Sequence, residues 1–164
     1  MRKLKNTRGL GALIVAIIAV AIAVVGSAGA ANSSGTLTKA FNFTSTTNNK
    51  TTTLFNADGL TVNARCDVNN APVIFAFTSA FNADLFGHVI DGNGRVHVIA
   101  NDTFSKFGKG VSLAPNITGD RDASGVLDYE TFAGKVVTVN YGFDNSPTLG
   151  NKKVCTVYGT YVVK

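Results

Sequence analysis

Between residues 37 and 164 the apolar side chains recur at every second position, and no run of ten carries a helical period. That alternation describes strands with one buried face and excludes an amphipathic helix. GLTVNARCDV is the clearest instance. Leu60, Val62, Ala64, Cys66 and Val68 share one face, and Thr61, Asn63, Arg65 and Asp67 share the other. The C-terminal KVCTVYGTYVV alternates in the same way through Cys155, Val157, Gly159, Tyr161 and Val163. APVIFAFTS is more uniformly apolar and reads as a central strand buried on both sides. Further strands are expected at 37–43, 85–90, 95–100, 126–131 and 135–143, with a Thr/Asn-rich loop or strand edge at 44–53. Strands this closely spaced, divided by Gly, Asn and Asp, predict an all-β domain: a single antiparallel β-sandwich or partly closed barrel of about seven to nine strands. The domain covers 37–164 and follows a polar lead-in at 31–36.

The first thirty residues belong to a different kind of chain. Arg2, Lys3, Lys5 and Arg8 form a basic head with no acid, an unbroken apolar run extends from Leu10 to Val25, and the small residues GSAGAA follow. These are the three parts of a secretory signal, with cleavage after Ala30. The alternative is an uncleaved N-terminal membrane anchor, because the apolar run approaches the ~20 residues that span a bilayer. Membrane contact would then run through residues 10–25. Either reading of residues 1–30 leaves the basic side cytoplasmic and places the domain outside, secreted or at the cell surface.

Without the leader the charge argument changes. Four of the 15 basic residues leave and no acid does, so 11 remain against 10 acids and the formal charge falls from +5 to +1. Lys39, Arg65, Arg95 and Lys135 are scattered rather than clustered, whereas nucleic-acid binding takes a basic patch. No nucleic-acid partner is expected.

Cys66 and Cys155 are the only cysteines. Outside the cytoplasm an even count reads as a disulfide, and no C-x-x-C suggests a redox couple. The two lie 89 residues apart, a loop whose closure is worth ~4–5 kcal/mol on the chain-entropy account.

Two hairpins can be read in register. A turn centred on Gly92-Asn93 pairs Ile90 with Arg95, Val89 with Val96 and His88 with His97. Leu85, Gly87, Val89, Val96, Val98 and Ala100 then form one apolar face. A three-residue loop, Phe132-Ala133-Gly134, pairs Tyr129 with Val137 and Leu127 with Val139, and turns Asp128 and Glu130 outward.

Three groups are candidates for chemistry or contact. GDRDASGVLDYE resembles the start of a calcium loop, with Asp120, Asp122 and Ser124 at the first alternating positions, Gly125 at the turn and Asp128 beyond. Thr131 stands where the closing acid belongs, so the competing reading is a polar turn that feeds a strand. His88 and His97, set opposite each other, are a second metal candidate, although no third ligand shares their segment. Phe86, Ile90 and Ile99 beside them make that face an interaction patch or the seat of another strand. No cofactor other than calcium is suggested. No G-x-S-x-G, P-loop or H-E-x-x-H occurs, and the chain reads as a non-enzyme.

The C-terminal quarter of the chain, GVLDYE to TYVV, is similar to the ends of uncharacterised exported all-β bacterial proteins. A G-x-L-x-Y strand, a G-x-V-V-T-V strand and a terminal C-x-x-x-G-T strand follow one another, here Gly125–Tyr129, Gly134–Val139 and Cys155–Thr160. The resemblance implies an exported β-domain and no particular activity. The expected role is structural or interactive, with a protein or cell-envelope partner or self-association. The alternatives are a surface filament or pilin-like subunit, a weak calcium-dependent binding module and a small hydrolytic enzyme.

Overall fold

The computed structural model describes residues 36–46, 50–114, 122–145, 148–150 and 152–164. The leader (1–30), residues 31–35 of the lead-in, and Asp120 lie outside the described residues. The chain forms β1 (Leu37–Thr46), β2 (Thr52–Ala57), β3 (Leu60–Cys66), β4 (Pro72–Thr78), β5 (Ala83–Asp91) and β6 (Val96–Phe104). It continues through β7 (Val111–Ser112), β8 (Ala123–Glu130), β9 (Val136–Asp144), β10 (Thr148–Leu149) and β11 (Lys152–Val163). One sheet has the order β1-β11-β9-β8-β5-β6, the other β2-β3-β4-β7, and β10 forms a short ribbon with β11. All pairings are antiparallel. The sheets stay open, so the architecture is a sandwich rather than a barrel.

The alternating residues of the two sheets meet in one core. Leu60, Val62, Ala64, Ile74 and Ala76 come from the small sheet, and Leu85, Val89, Leu127, Tyr129, Val139, Phe143 and Val157 from the large one. Cys66 closes β3 and Cys155 lies in β11, so their disulfide joins the two sheets, with the Cα atoms 5.8 Å apart. A hydrogen bond between the fully buried Tyr129 hydroxyl and Thr78 Oγ1, 2.8 Å long, ties the sheets at the opposite end.

Three hairpins close on the same three-residue loop. In each, the first and fifth residues pair (Asp67 with Ala71, Asp91 with Arg95, Thr131 with Lys135), through N–H to C=O bonds of 2.9–3.0 Å. A side-chain oxygen of the first residue accepts the fifth residue's N–H, at 2.8 Å for Asp67, 2.9 Å for Asp91 and 3.1 Å for Thr131. The fourth residue is left-handed: Asn70 (φ 57°), Gly94 (φ 76°) and Gly134 (φ 75°). Such a loop is a type I turn followed by a left-handed residue. The β2–β3 connection is instead a two-residue turn, with Asp58 (φ 45°) and Gly59 (φ 94°) both left-handed.

The Phe132-Ala133-Gly134 hairpin has the expected register, with Leu127 opposite Val139 and Tyr129 opposite Val137. The β5–β6 hairpin does not. Its loop is Gly92-Asn93-Gly94, one residue further along, so Ile90 pairs with Val96, Val89 with His97 and His88 with Val98. The shift exchanges the faces of β6. Ile99 is buried, while Val96, Val98 and Ala100 are exposed. Asp91 decides the matter: its Oδ1 accepts the N–H groups of Asn93 and Arg95, both at 2.9 Å, and fixes the three-residue loop.

Strand β4 also departs from the expectation of burial on both sides. Ile74 and Ala76 face the core, while Val73 and Phe75 are half-buried and Phe77 is exposed. Its outer neighbour β7 has only two residues, too few to cover that face. Segment 44–53 supplies the end of β1 and the start of β2.

Candidate functional site

The small sheet and the core cover one face of the six-stranded sheet, and the other faces outward. Its side chains are the even-numbered ones of β5, β8, β9, of β11 from Thr156 on and of β6 as far as Ala100, and the registers align them in rows. Beyond Asn101 a register shift turns Phe104 into the core. One row runs Tyr158, Gly142, Ser124, Ile90, Val96. The next runs Thr160, Asn140, Val126, His88, Val98, and the third Val162, Thr138, Asp128, Phe86, Ala100.

The first two rows enclose a groove of about 430 Å³. Gly142 gives it room for the Tyr158 ring, because a Cβ at Gly142 would stand 2.8 Å from ring atoms. Tyr158 and Thr160 form one wall, His88 and Ile90 the other, and Ser124, Val126 and Asn140 lie between them. Tyr141 braces the sheet from beneath. Its hydroxyl donates to the Leu113 carbonyl at 3.0 Å, and burial pushes its phenol well above the usual tyrosine range. A second hollow of about 350 Å³ shares Tyr158, Ser124 and Ile90 and brings in Asp122 and Asp144.

On the far side of His88 the surface turns apolar. Phe86, Ile90, Val96 and Val98 are all exposed, Val98 by 78%. They run up to β6, which among the described residues ends the sheet and is paired only on its β5 side. Strand β6 carries no Lys, Arg or Pro, and Asp102 is its one acid. Charge, proline and bulges are the devices that usually blunt free edges, and the register shift of β6 lies at its far end, opposite Ala83–Leu85.

The structure regroups the residues singled out from the sequence. Phe86 and Ile90 belong to the exposed patch, but Ile99 does not; it is 7% exposed and packs in the core, and Val98 takes its place. His88 and His97 lie on opposite faces of the hairpin, so they do not form the expected facing pair. His97 Nε2 lies 3.1 Å from Asp91 Oδ2, and this hydrogen bond, with the N–H groups of Arg95 and Asn93, lowers the Asp91 pKa below the usual carboxylate range.

Of the calcium candidates, Ser124 and Asp128 both project outward from β8 but lie four residues, ~13 Å, apart along the strand. A calcium ion holds its oxygens at about 2.3–2.6 Å, so the two cannot share one. Asp128 instead accepts a hydrogen bond from the Thr138 hydroxyl at 2.7 Å. Asp122 and Ser124 remain together in the second hollow. Among the described residues no three His, Cys, Asp or Glu side chains gather as a metal set.

Sequence reasoning missed Tyr158, Asn140 and Thr160. The alternation that buries Cys155 and Val157 already turns Tyr158 and Thr160 outward. What it does not contain is the neighbour relation of β11, β9, β8 and β5, which arises from strand order. Compared with models of protein families, with curated proteins and with solved structures, the chain matches none of them.

Proposed function

We propose that residues 37–164 form an exported contact module that acts outside the cytoplasm and binds through the outer face of the six-stranded sheet rather than turning over a substrate. The observation that carries this reading is the apolar cluster Phe86, Ile90, Val96 and Val98 beside the free edge of β6. Over Val96–Ala100, where no Lys, Arg, Pro or bulge interrupts it, the edge offers a row of backbone donors and acceptors to an added strand, and the apolar face beside it supplies the burial that makes pairing stable. The inter-sheet disulfide fits an oxidising compartment.

The partner in this reading is a second copy of the chain. Antiparallel β6–β6 pairing about a two-fold axis would join two six-stranded sheets and bring the two apolar patches side by side. Size-exclusion chromatography with mass measurement on residues 31–164 tests it. A concentration-dependent dimer is expected, and Val98→Lys should return it to monomer with the melting temperature that the parent shows at dilute, monomeric concentration. A strict monomer at every concentration removes the reading.

A second reading, a filament subunit, rests on β1 and β6 being opposite edges of one sheet. A β6 edge that pairs with a neighbour's β1 is a head-to-tail contact, which builds an open filament unless its rotation closes a ring. Its signature is a ladder of masses above the dimer. The same measurement with calcium and with chelator shows whether Asp122 and Ser124 take part in assembly.

A further inference from the structure

The end of the sandwich away from the disulfide gathers the β2–β3 turn and the loops β4–β5, β6–β7 and β8–β9. Lys135 Nζ reaches Asp58 Oδ1 at 3.1 Å, and the Ser79 N–H donates to the Gly59 carbonyl at 2.9 Å. The Lys106 N–H donates to the Ala80 carbonyl at 2.9 Å, so these loops form one surface. Its tips are aromatic. Phe107 is 81% exposed and Phe132 96%, and the Phe81 and Phe107 rings meet edge to face, 5.5 Å between centroids. Lys106 Nζ sits 3.8 Å from the Phe81 centroid, and Lys109 is exposed in the same loop.

Folding gains nothing from phenylalanine at the tip of a hairpin loop. Ala133 beside Phe132 and the left-handed Gly134 satisfy the turn, and Phe132 contributes no core contact to it. Several such rings on different loops, all at one end, form a surface that water solvates poorly. Lysines set among the rings can lay their stems along apolar surface while the ammonium group reaches toward anionic oxygen. The acids of this end are set back or engaged. Asp84, Asp102 and Glu130 stand within strands, and Asp58 holds Lys135. The first described strand also begins at this end, with Leu37 opposite Val163.

We infer that the Phe81–Phe107–Phe132 end is a membrane-docking surface, which inserts its rings at the headgroup boundary of an anionic bilayer while Lys106 and Lys109 engage lipid phosphates. Apolar insertion or basic attraction alone gives marginal binding, and the two together give a stable attachment. This surface is separate from the β5–β6 face, so each is testable without the other.

The probe is co-sedimentation of residues 31–164 with vesicles of phosphatidylcholine alone and of phosphatidylcholine with phosphatidylserine. That segment contains every strand, the core and the disulfide, so it is the folding unit. Binding is expected to the anionic vesicles and only weakly to the neutral ones. Phe107→Ser and Phe132→Ser should each lower partitioning about tenfold, the effect of burying roughly one aromatic side chain. Lys106→Gln and Lys109→Gln should each cost about fivefold, on anionic vesicles only. Because the chain has no tryptophan, Phe132→Trp supplies a single reporter whose emission should shift to the blue on vesicle addition. Parent protein left in solution with both lipids, serine variants that bind like the parent, or an unshifted reporter would each overturn the inference.

Discussion

Asp91 Oδ2 and His97 Nε2 meet at 3.1 Å across the closing end of the β5–β6 hairpin, while Asp91 Oδ1 holds the N–H groups of Asn93 and Arg95. One carboxylate thus fixes both the loop and the face on which His97 lies. These hydrogen bonds, the His97 one foremost, depress the folded-state pKa of Asp91 below its ordinary 3.8. A depressed folded pKa gives stability that is fully present above the unfolded value and is lost as the pH falls through the folded value. Asp91→Asn should therefore melt lower than the parent at pH 6, and the gap should narrow below about pH 4. Thermal melts of both proteins between pH 6 and 2 check this, and a gap that stays constant to pH 2 contradicts it.

The inter-sheet disulfide makes the second prediction. Cys66 and Cys155 close a loop of 89 residues, which the chain-entropy account values at about 4–5 kcal/mol. Denaturant unfolding with and without reductant should show a loss of stability of about that size, with a steeper slope for the reduced protein, whose unfolded chain is less compact. Intact mass should lie two daltons below the reduced value. Coincident unfolding curves would mean that the sheets hold together without the bond.

Much of this architecture is legible in the sequence because a single buried face per strand leaves a period of two. Register was legible only where one loop geometry was available. After Thr131, Gly134 alone can take the left-handed position, and the observed pairs Leu127–Val139 and Tyr129–Val137 follow. D-G-N-G offers two closures, and VHVIA carries Val96, Val98 and Ala100 on one face but His97 and Ile99 on the other, so the hydrophobic pattern favours the closure that does not form. The carboxylate of Asp91 chooses, and one residue of shift sent Ile99 into the core and Val98 out. The groove was illegible for another reason. Tyr158, Asn140, Ser124 and His88 lie on four strands that are neighbours in the sheet order β11-β9-β8-β5 but not in the chain.

The shared hairpin loop makes a comparative prediction. The fourth residue is left-handed in all three hairpins, and side chains with a Cβ pay about 1–2 kcal/mol there. Gly134→Ala should destabilise by roughly 1 kcal/mol. Gly94→Ala, at the equivalent position and likewise with open space around an added Cβ, should cost the same. Urea titrations of the two variants beside the parent test the pair, and clearly unequal shifts would break the equivalence of the loops.

Tyr129 and Thr78 supply the last prediction. The Tyr129 ring is fully buried and meets Phe104 edge to face at 6.2 Å, and its hydroxyl spans the sheets to Thr78 Oγ1 at 2.8 Å. Thr78 Oγ1 also accepts the Ala80 N–H at 3.0 Å, so it keeps one partner when the phenol is removed. Tyr129→Phe should consequently cost about 1 kcal/mol, the net worth of one buried hydrogen bond. Thr78→Val strips the partner from a phenol that remains buried and leaves the Ala80 N–H unsatisfied, so it should cost more, about 2–3 kcal/mol. Because the two residues share one interaction, the double variant should be less destabilised than the sum of the singles. A double-mutant cycle by urea unfolding measures this directly, and strict additivity would show that the hydroxyl contact between the sheets carries no energy.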